Sequence, residues 1–212
     1  MKPEDWRELL TKNRVIAVIR SPNLELGTQM AASIANGGIR LIEITWNSDR
    51  PTELISKLCS QLPNCIIGAG TLLTKEDINQ AVDCGAEFLF TPHTNPALIE
   101  QAKSLKIPII PGAFSPTEIV NAWQAGASCV KVFPISTLGG VAYIKNLRGP
   151  LGEIPLIPTG GVTLENARAF IEAGAIAVGL SSQLFPPSLL REQNWKAIAD
   201  GAQILTQHLR KI

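Results

Sequence analysis

The sequence predicts an α/β protein: a single (β/α)8 TIM barrel over 1–212, with an extra N-terminal helix over 1–14. Three observations carry this prediction. Eight short apolar runs alternate with helical patterns, and strict βα alternation gives a parallel sheet. The runs are continuously apolar, as in strands buried on both faces. Finally, Gly38-Ile39, Gly85-Ala86, Gly126-Ala127 and Gly174-Ala175 each end a helix and open a strand, at spacings of 47, 41 and 48 residues. Each spacing is about a quarter of a barrel, and a repeat of that period marks repeated structural units.

The elements follow in order. Pro3 with Glu4 and Asp5 in a first turn starts the N-terminal helix. The first strand is Val15-Ile16-Ala17-Val18-Ile19, ending at Arg20, and a helical pattern from Leu24 to about Asn36 closes at Gly37-Gly38. Leu41 to Thr45 is the second strand. Strand Ile66 to Gly70 precedes helix Lys75 to Cys84, and strand Phe88 to Thr91 precedes helix Pro96 to Leu105. Strand Pro108 to Pro111 precedes helix Pro116 to Ala125. Strand Cys129 to Phe133 is followed by a helix near Val141 to Leu147, and strand Leu156 to Thr159 by helix Leu164 to Ala173. Strand Ala177 to Leu180 leads through a Pro-rich turn to a last helix, where Trp195, Ile198, Ala202, Leu205 and Leu209 form one apolar face. Short connections leave little room for a second domain.

Composition narrows the function. With 45% hydrophobic residues the chain can bury a full core, and with a net charge of +1 and no basic run it is not expected to bind nucleic acid or an anionic membrane. No apolar run reaches the ~20 residues needed to cross a bilayer, and nothing resembles a signal peptide, so a cytoplasmic protein is expected. Cys59, Cys65, Cys84 and Cys129 show no C-x-x-C spacing and read as reduced structural thiols. Of the two histidines, His93 follows the fourth strand and reads as a loop hydrogen-bonder, while His208 sits on the last helix. No metal site is expected from them.

Lys131 lies in the middle of the apolar run Cys129-Val130-Lys131-Val132-Phe133. A buried ammonium is costly, so such a lysine either pairs with a charge or gives up its proton. A neutral amine in an apolar pocket is a nucleophile for carbonyl carbon. Aligning the four repeats on their glycines puts Glu43, Phe90, Lys131 and Gly179 at one position, and alternate barrel strands contribute four side chains to each interior layer. Glu43 and Lys131 are therefore expected in one layer on opposite sides of the lumen, with Phe90 as an apolar wall and Gly179 as the open side. Leu41, Phe88, Cys129 and Ala177 form the floor below. Thr45, Pro92, Phe133 and Ser181 form the mouth above. This pattern suits Schiff-base chemistry, with Lys131 attacking a ketone and Glu43 moving protons. The bland alternative is a buried Lys131–Glu43 ion pair that only sets the fold.

Arg20, at the end of the first strand, suits bidentate binding of a carboxylate; it could also be a surface arginine. Gly160-Gly161 after the seventh strand and Ser181-Ser182 after the eighth occupy the loops where barrels commonly bind phosphate through backbone N–H groups. Gly68-Ala69-Gly70-Thr71 after the third strand reads equally as a pocket lining with one hydroxyl or as a tight turn with Thr71 near a cap.

The motifs Glu43-Ile44-Thr45, Gly68-Ala69-Gly70-Thr71, Pro111-Gly112, Val130-Lys131-Val132-Phe133-Pro134 and Pro158-Thr159-Gly160-Gly161, in this order, cover nearly the whole chain. By them the sequence resembles the bacterial 2-keto-3-deoxy-6-phosphogluconate (KDPG) and 4-hydroxy-2-oxoglutarate (KHG) aldolases. The resemblance implies a class I lyase that needs no cofactor, with Lys131 as Schiff-base lysine and Glu43 as acid/base. It implies that Thr71, Pro92 and Thr159 line the substrate site, with Phe133 at its mouth, and that phosphate sits at Gly160, Gly161 and the Ser181-Ser182 loop. It also implies a small-molecule 2-keto-3-deoxy acid as substrate and a homotrimer as assembly. Two departures stand out. Many members carry a carboxylate-binding arginine where this chain has Asn47, and others carry it where Arg20 stands here. The family usually has glycine before its strand-8 serine, whereas here Ser181 precedes Ser182.

Two rival readings come from other classes. One is a phosphosugar isomerase or synthase barrel that uses the same phosphate loops without covalent chemistry. The other is a non-catalytic ligand-binding barrel.

Overall fold

The computed structural model describes residues 3–210. The N-terminal helix α1 is Pro3–Asn13; residues 1–2, which the sequence assigns to it, lie outside the described residues. From there strands and helices alternate: β1 Val15–Ile19, α2 Leu24–Asn36, β2 Leu41–Thr45, α3 Pro51–Gln61, β3 Ile66–Gly70, α4 Lys75–Asp83, β4 Leu89–Phe90, α5 Pro96–Ser104. Next come β5 Ile109–Ile110, β6 Gly112–Ala113, α6 Pro116–Gln124, β7 Val130–Val132, a 3₁₀ turn Ile135–Leu138 and α7 Val141–Arg148. The chain ends with β8 Leu156–Pro158, α8 Ala167–Glu172, β9 Val178–Leu180, α9 Pro187–Arg191 and α10 Trp195–Leu209.

All strand pairs are parallel. Six strands run in the order β5-β4-β3-β2-β1-β9 and three in the order β6-β7-β8, so the sheet is parallel and curled. At one join, Pro111 separates β5 from β6. The sequence predicts one strand over Pro108 to Pro111; the structure splits it and extends it to Ala113. Proline has no N–H for the ladder, so regular pairing stops there, although its carbonyl accepts from Lys131 N at 2.9 Å. At the other join a parallel bridge pairs Thr159 with Gly179. Strands β1 and β2 are buried at every position, as their continuous apolar runs require.

The repeat glycines have a common mechanical role. Gly38, Gly85, Gly126 and Gly174 have φ of +89°, +101°, +100° and +101°. This left-handed residue lets the next N–H bond back into the helix: Ile39 to Ile34, Ala86 to Ala81, Ala127 to Ala122 and Ala175 to Phe170, at 2.9–3.2 Å. Each helix therefore ends in the same Schellman-type turn and delivers the next strand at the same angle.

Three differences from the sequence expectation are local. Helix α3 is the crossover that strict alternation requires between β2 and β3, but the sequence reading gives it no bounds. It starts at Pro51 without any side-chain cap, so the usual Ser/Thr/Asp start signal is missing. Helix α8 begins at Ala167 rather than Leu164, because Thr163 and Asn166 bond each other's backbone N–H, at 2.7 and 3.2 Å, and hold a turn there. Helix α9 occupies the Pro-rich turn. Two capping boxes, Thr74 with Asp77 and Ser115 with Glu118, start α4 and α6.

Inside the curl, Trp6, Leu10, Ile16, Leu41, Phe88, Phe90, Ile110, Cys129, Ile157 and Ala177 form a core of their own, separate from the larger layer between sheet and helices. Helix α1 delivers Trp6 onto Phe88, with ring centroids 5.0 Å apart. No helix among the described residues is long and apolar enough to cross a membrane.

Candidate active site

A cavity of about 340 Å³ opens at the C-terminal ends of the strands. Its wall contains Arg20, Glu43, Thr71, Pro92, Lys131, Phe133, Thr159, Gly160, Gly161, Ser181 and Ser182. All the site residues singled out from the sequence thus share one concavity, the size of a small-metabolite pocket. Thr45 and Gly179, placed near it by the layer alignment, line it too.

Glu43 and Lys131 are both buried, at 1% and 6% exposure. Their strands put them there: Glu43 pairs in register with Val18 of β1 and Gly68 of β3, and Lys131 with Gly112 of β6 and Ile157 of β8. The structure does not form the ion pair that was the alternative reading. Among the described residues no acid lies within 4.0 Å of Lys131, and neither oxygen of Glu43 has a hydrogen-bond partner. Burial holds the Glu43 carboxyl above its ordinary range, while the positive charges of Lys131 and Arg20 oppose that rise. A buried, unpartnered acid next to an amine, at the end of a barrel-like sheet where substrates bind, is a functional arrangement rather than a stabilising one.

Space for the Glu43 carboxylate comes from β3. A Cβ on Gly70 would occupy the position of Glu43 Oε1. The next residue, Thr71, has φ of +62°, a conformation that a β-branched residue rarely adopts, and its side chain lines the cavity. Of the two readings of Gly68-Ala69-Gly70-Thr71, both the tight turn and the pocket lining are present. The helix cap is Thr74, not Thr71.

The far wall is made by two loops. Gly160 and Gly161 have φ of +78° and +108°, and a Cβ on Gly160 would strike the Phe133 ring at 2.9 Å. The 3₁₀ turn holds this loop down, with Ile135 N on Thr159 O and Ser136 N on Gly160 O at 2.9 and 3.0 Å. Beside it on the same wall Gly179 lies against Thr159, its bridge partner, where a Cβ would be 2.5 Å from the hydroxyl oxygen. Arg20 lines the cavity with its side chain exposed, while Asn47 is exposed and not part of the wall. His93 is also outside the wall; its carbonyl accepts the Thr91 hydroxyl at 2.7 Å.

Val18, Val162 and Gln183 line the cavity without having been singled out. The signal for Val18 was available: it is two residues before Arg20 on the same strand face, in register with Glu43. Gln183 and Val162 follow loop residues that were singled out, and no periodicity marks them. Among the described residues no cluster of three His, Cys, Asp or Glu side chains is placed to hold a metal ion.

Sheet and cavity together define an α/β enzyme whose site brings a buried amine and a buried acid to the ends of its strands. Residues 7–200 match the family model "KDPG and KHG aldolase", and the chain belongs to that family. It is 34% identical to the 2-dehydro-3-deoxy-phosphogluconate aldolase of Haemophilus influenzae over 90% of each chain. A solved structure of KDPG aldolase from Legionella pneumophila, with pyruvate captured as a covalent carbinolamine intermediate, superposes with a TM-score of 0.87 at 26% identity, covering 97% of this chain and 98% of that one. A chain of a cube-shaped protein cage, designed by fusing symmetric oligomeric domains, superposes with a TM-score of 0.85 at 29% identity, covering 94% of this chain and 73% of that one.

Proposed function

We propose that this protein is a class I aldolase that cleaves 2-keto-3-deoxy-6-phosphogluconate to pyruvate and D-glyceraldehyde 3-phosphate, and also 4-hydroxy-2-oxoglutarate to pyruvate and glyoxylate. The observation that carries this reading is the buried Lys131 facing a cavity that also holds the unpartnered carboxyl of Glu43.

The substrate carboxylate binds toward Arg20. The amine of Lys131, reacting in its unprotonated form, adds to the C2 ketone and gives a carbinolamine. Glu43, whose carboxyl burial holds above its ordinary range, donates to the departing hydroxyl, water leaves, and an iminium cation remains. The carboxylate of Glu43 then takes the proton of the C4 hydroxyl. The C3–C4 bond breaks, its electron pair moves onto the iminium nitrogen, and the aldehyde departs. The enamine takes at C3 the proton that Glu43 has just acquired, and water hydrolyses the new iminium to pyruvate and free Lys131, its released proton returning to Glu43. Thr71, Pro92, Phe133 and Thr159 line the path, and a phosphate is held by the backbone of Gly160 and Gly161 with Ser181 and Ser182.

The sheet is read as one closed (β/α)8 barrel and the chain as a single domain. The Pro111 carbonyl bond and the Thr159–Gly179 bridge support closure at the two joins. The assembly is read as a homotrimer. The likeness to a cage component built from symmetric oligomeric domains supports self-association, and light scattering measures the mass.

Borohydride reduction in the presence of pyruvate tests the chemistry. Peptide mass spectrometry is expected to find the reduced adduct on Lys131. Folded protein with no adduct on any lysine would overturn the aldolase reading.

A further inference from the structure

Lys131 Nζ lies over two aromatic rings, 4.8 Å from the Phe133 centroid and 5.6 Å from the Phe90 centroid. Both fall within the ~6 Å at which a ring face attracts a cation. The same nitrogen has no acid within 4.0 Å among the described residues and is nearly buried. A buried cation ordinarily keeps a close carboxylate, because the desolvation it suffers is otherwise unmet. Here the rings stand where that carboxylate would be.

We propose that Phe90 and Phe133 stabilise the iminium cation on Lys131 through their ring faces, leaving Glu43 free to act as proton carrier. The inference rests on the aldolase reading above. Its logic is a division of labour. A carboxylate in contact with the nitrogen would stabilise the cation, but it would be spent on that contact and would fill the space the substrate needs. A ring face attracts the cation without accepting a proton. Lys131 can thus carry positive charge through the covalent stage while Glu43, farther away, gives and takes protons at the hydroxyls.

The two rings are held by different means. Phe90 is buried in the lumen at 1% exposure and meets Phe88 edge-on at 5.9 Å. Phe133 is 36% exposed at the mouth and packs against the Gly160 backbone. A large apolar side chain left part-exposed at the rim of the cavity gains less from packing than one in the core, and the lysine beneath it supplies a further reason for an aromatic ring. Phe133 can also be altered without disturbing the core.

The test uses the intact enzyme with mono-, di- and trifluorophenylalanine at position 133, and Phe133→Leu alongside. Fluorination withdraws electron density from the ring face while nearly keeping its shape, so a packing role does not respond to it. Both the fraction of enzyme trapped by borohydride at fixed subsaturating pyruvate and kcat for 2-keto-3-deoxy-6-phosphogluconate are expected to fall stepwise with fluorine number. Phe133→Leu is expected to lose on the order of tenfold in kcat. Flat trapped fraction and flat kcat across the series, with wild type still trapping pyruvate, would overturn this inference alone. Absence of trapping in the wild type would overturn the aldolase reading with it.

Discussion

Two layers of the lumen, one residue pair apart on the same strands, have opposite chemistry. The lower layer, Leu41, Phe88, Cys129 and Ala177, is closed and dry, with Trp6 seated on Phe88. Burial there pushes the Cys129 thiol up to about 12, against smaller opposing effects of Arg7 and Trp6, so it stays protonated and inert. The upper layer, Glu43, Phe90, Lys131 and Gly179, is equally buried at its two charged positions. However, it faces a cavity and leaves Glu43 unpartnered. Burial makes a thiol unreactive and a carboxyl useful for one reason: in both it favours the neutral form, and only the carboxyl has a neighbour with which to exchange the proton. The comparison teaches that α1 closes one end so that polarity can be concentrated at the other.

The sharpest way to break the contrast is to remove the nucleophile. Lys131→Met should lower cleavage more than about a thousandfold and abolish the borohydride adduct, in a steady-state assay paired with mass spectrometry. Glu43→Gln should lower kcat by about 10²–10⁴-fold while the protein stays folded.

The same substitution has a stability signature. The folded-state value of Glu43 lies above 4.5, so its stabilising contribution is complete below that pH and is lost as pH rises through the raised value. Gln does not ionise. Thermal melts should therefore show Glu43→Gln above wild type at alkaline pH, with the gap narrowing toward acid; a constant gap would mean that Glu43 is not held neutral by the fold. Gly70→Ala, which fills the space of Glu43 Oε1, should cost kcat on the order of a hundredfold with Lys131 still trappable by pyruvate.

Changes in the lower layer should have the smallest effect on turnover. Trp6→Ala removes a fully buried indole and should cost about 3–5 kcal/mol of stability. Its kcat/KM, measured well below the melting temperature, should stay within about twofold of wild type if the floor serves only as a seal.

Most of the site was legible because its information is local. A two-residue strand period and a repeated helix-ending glycine suffice to place Glu43, Phe90, Lys131 and Gly179 in one layer. Arg20, Gly160, Gly161, Ser181 and Ser182 were found by their position after a strand, where loops line the cavity. Gln183 and Val162 were missed because loop residues follow no period. Helix α3 was given no bounds because Arg50 precedes it without a cap.

The sequence by itself therefore determined the order of elements, the parallel sheet and the identity of the paired amine and acid. Only the tertiary structure decided that this pair makes no direct contact, that Gly70 makes room for the acid, that two rings face the amine, and that Pro111 splits a strand. The physical reason is range. Periodicity states which way a side chain points. Whether two charges across a lumen meet depends on how the intervening strands and their side chains pack, and that distance is encoded at no single position.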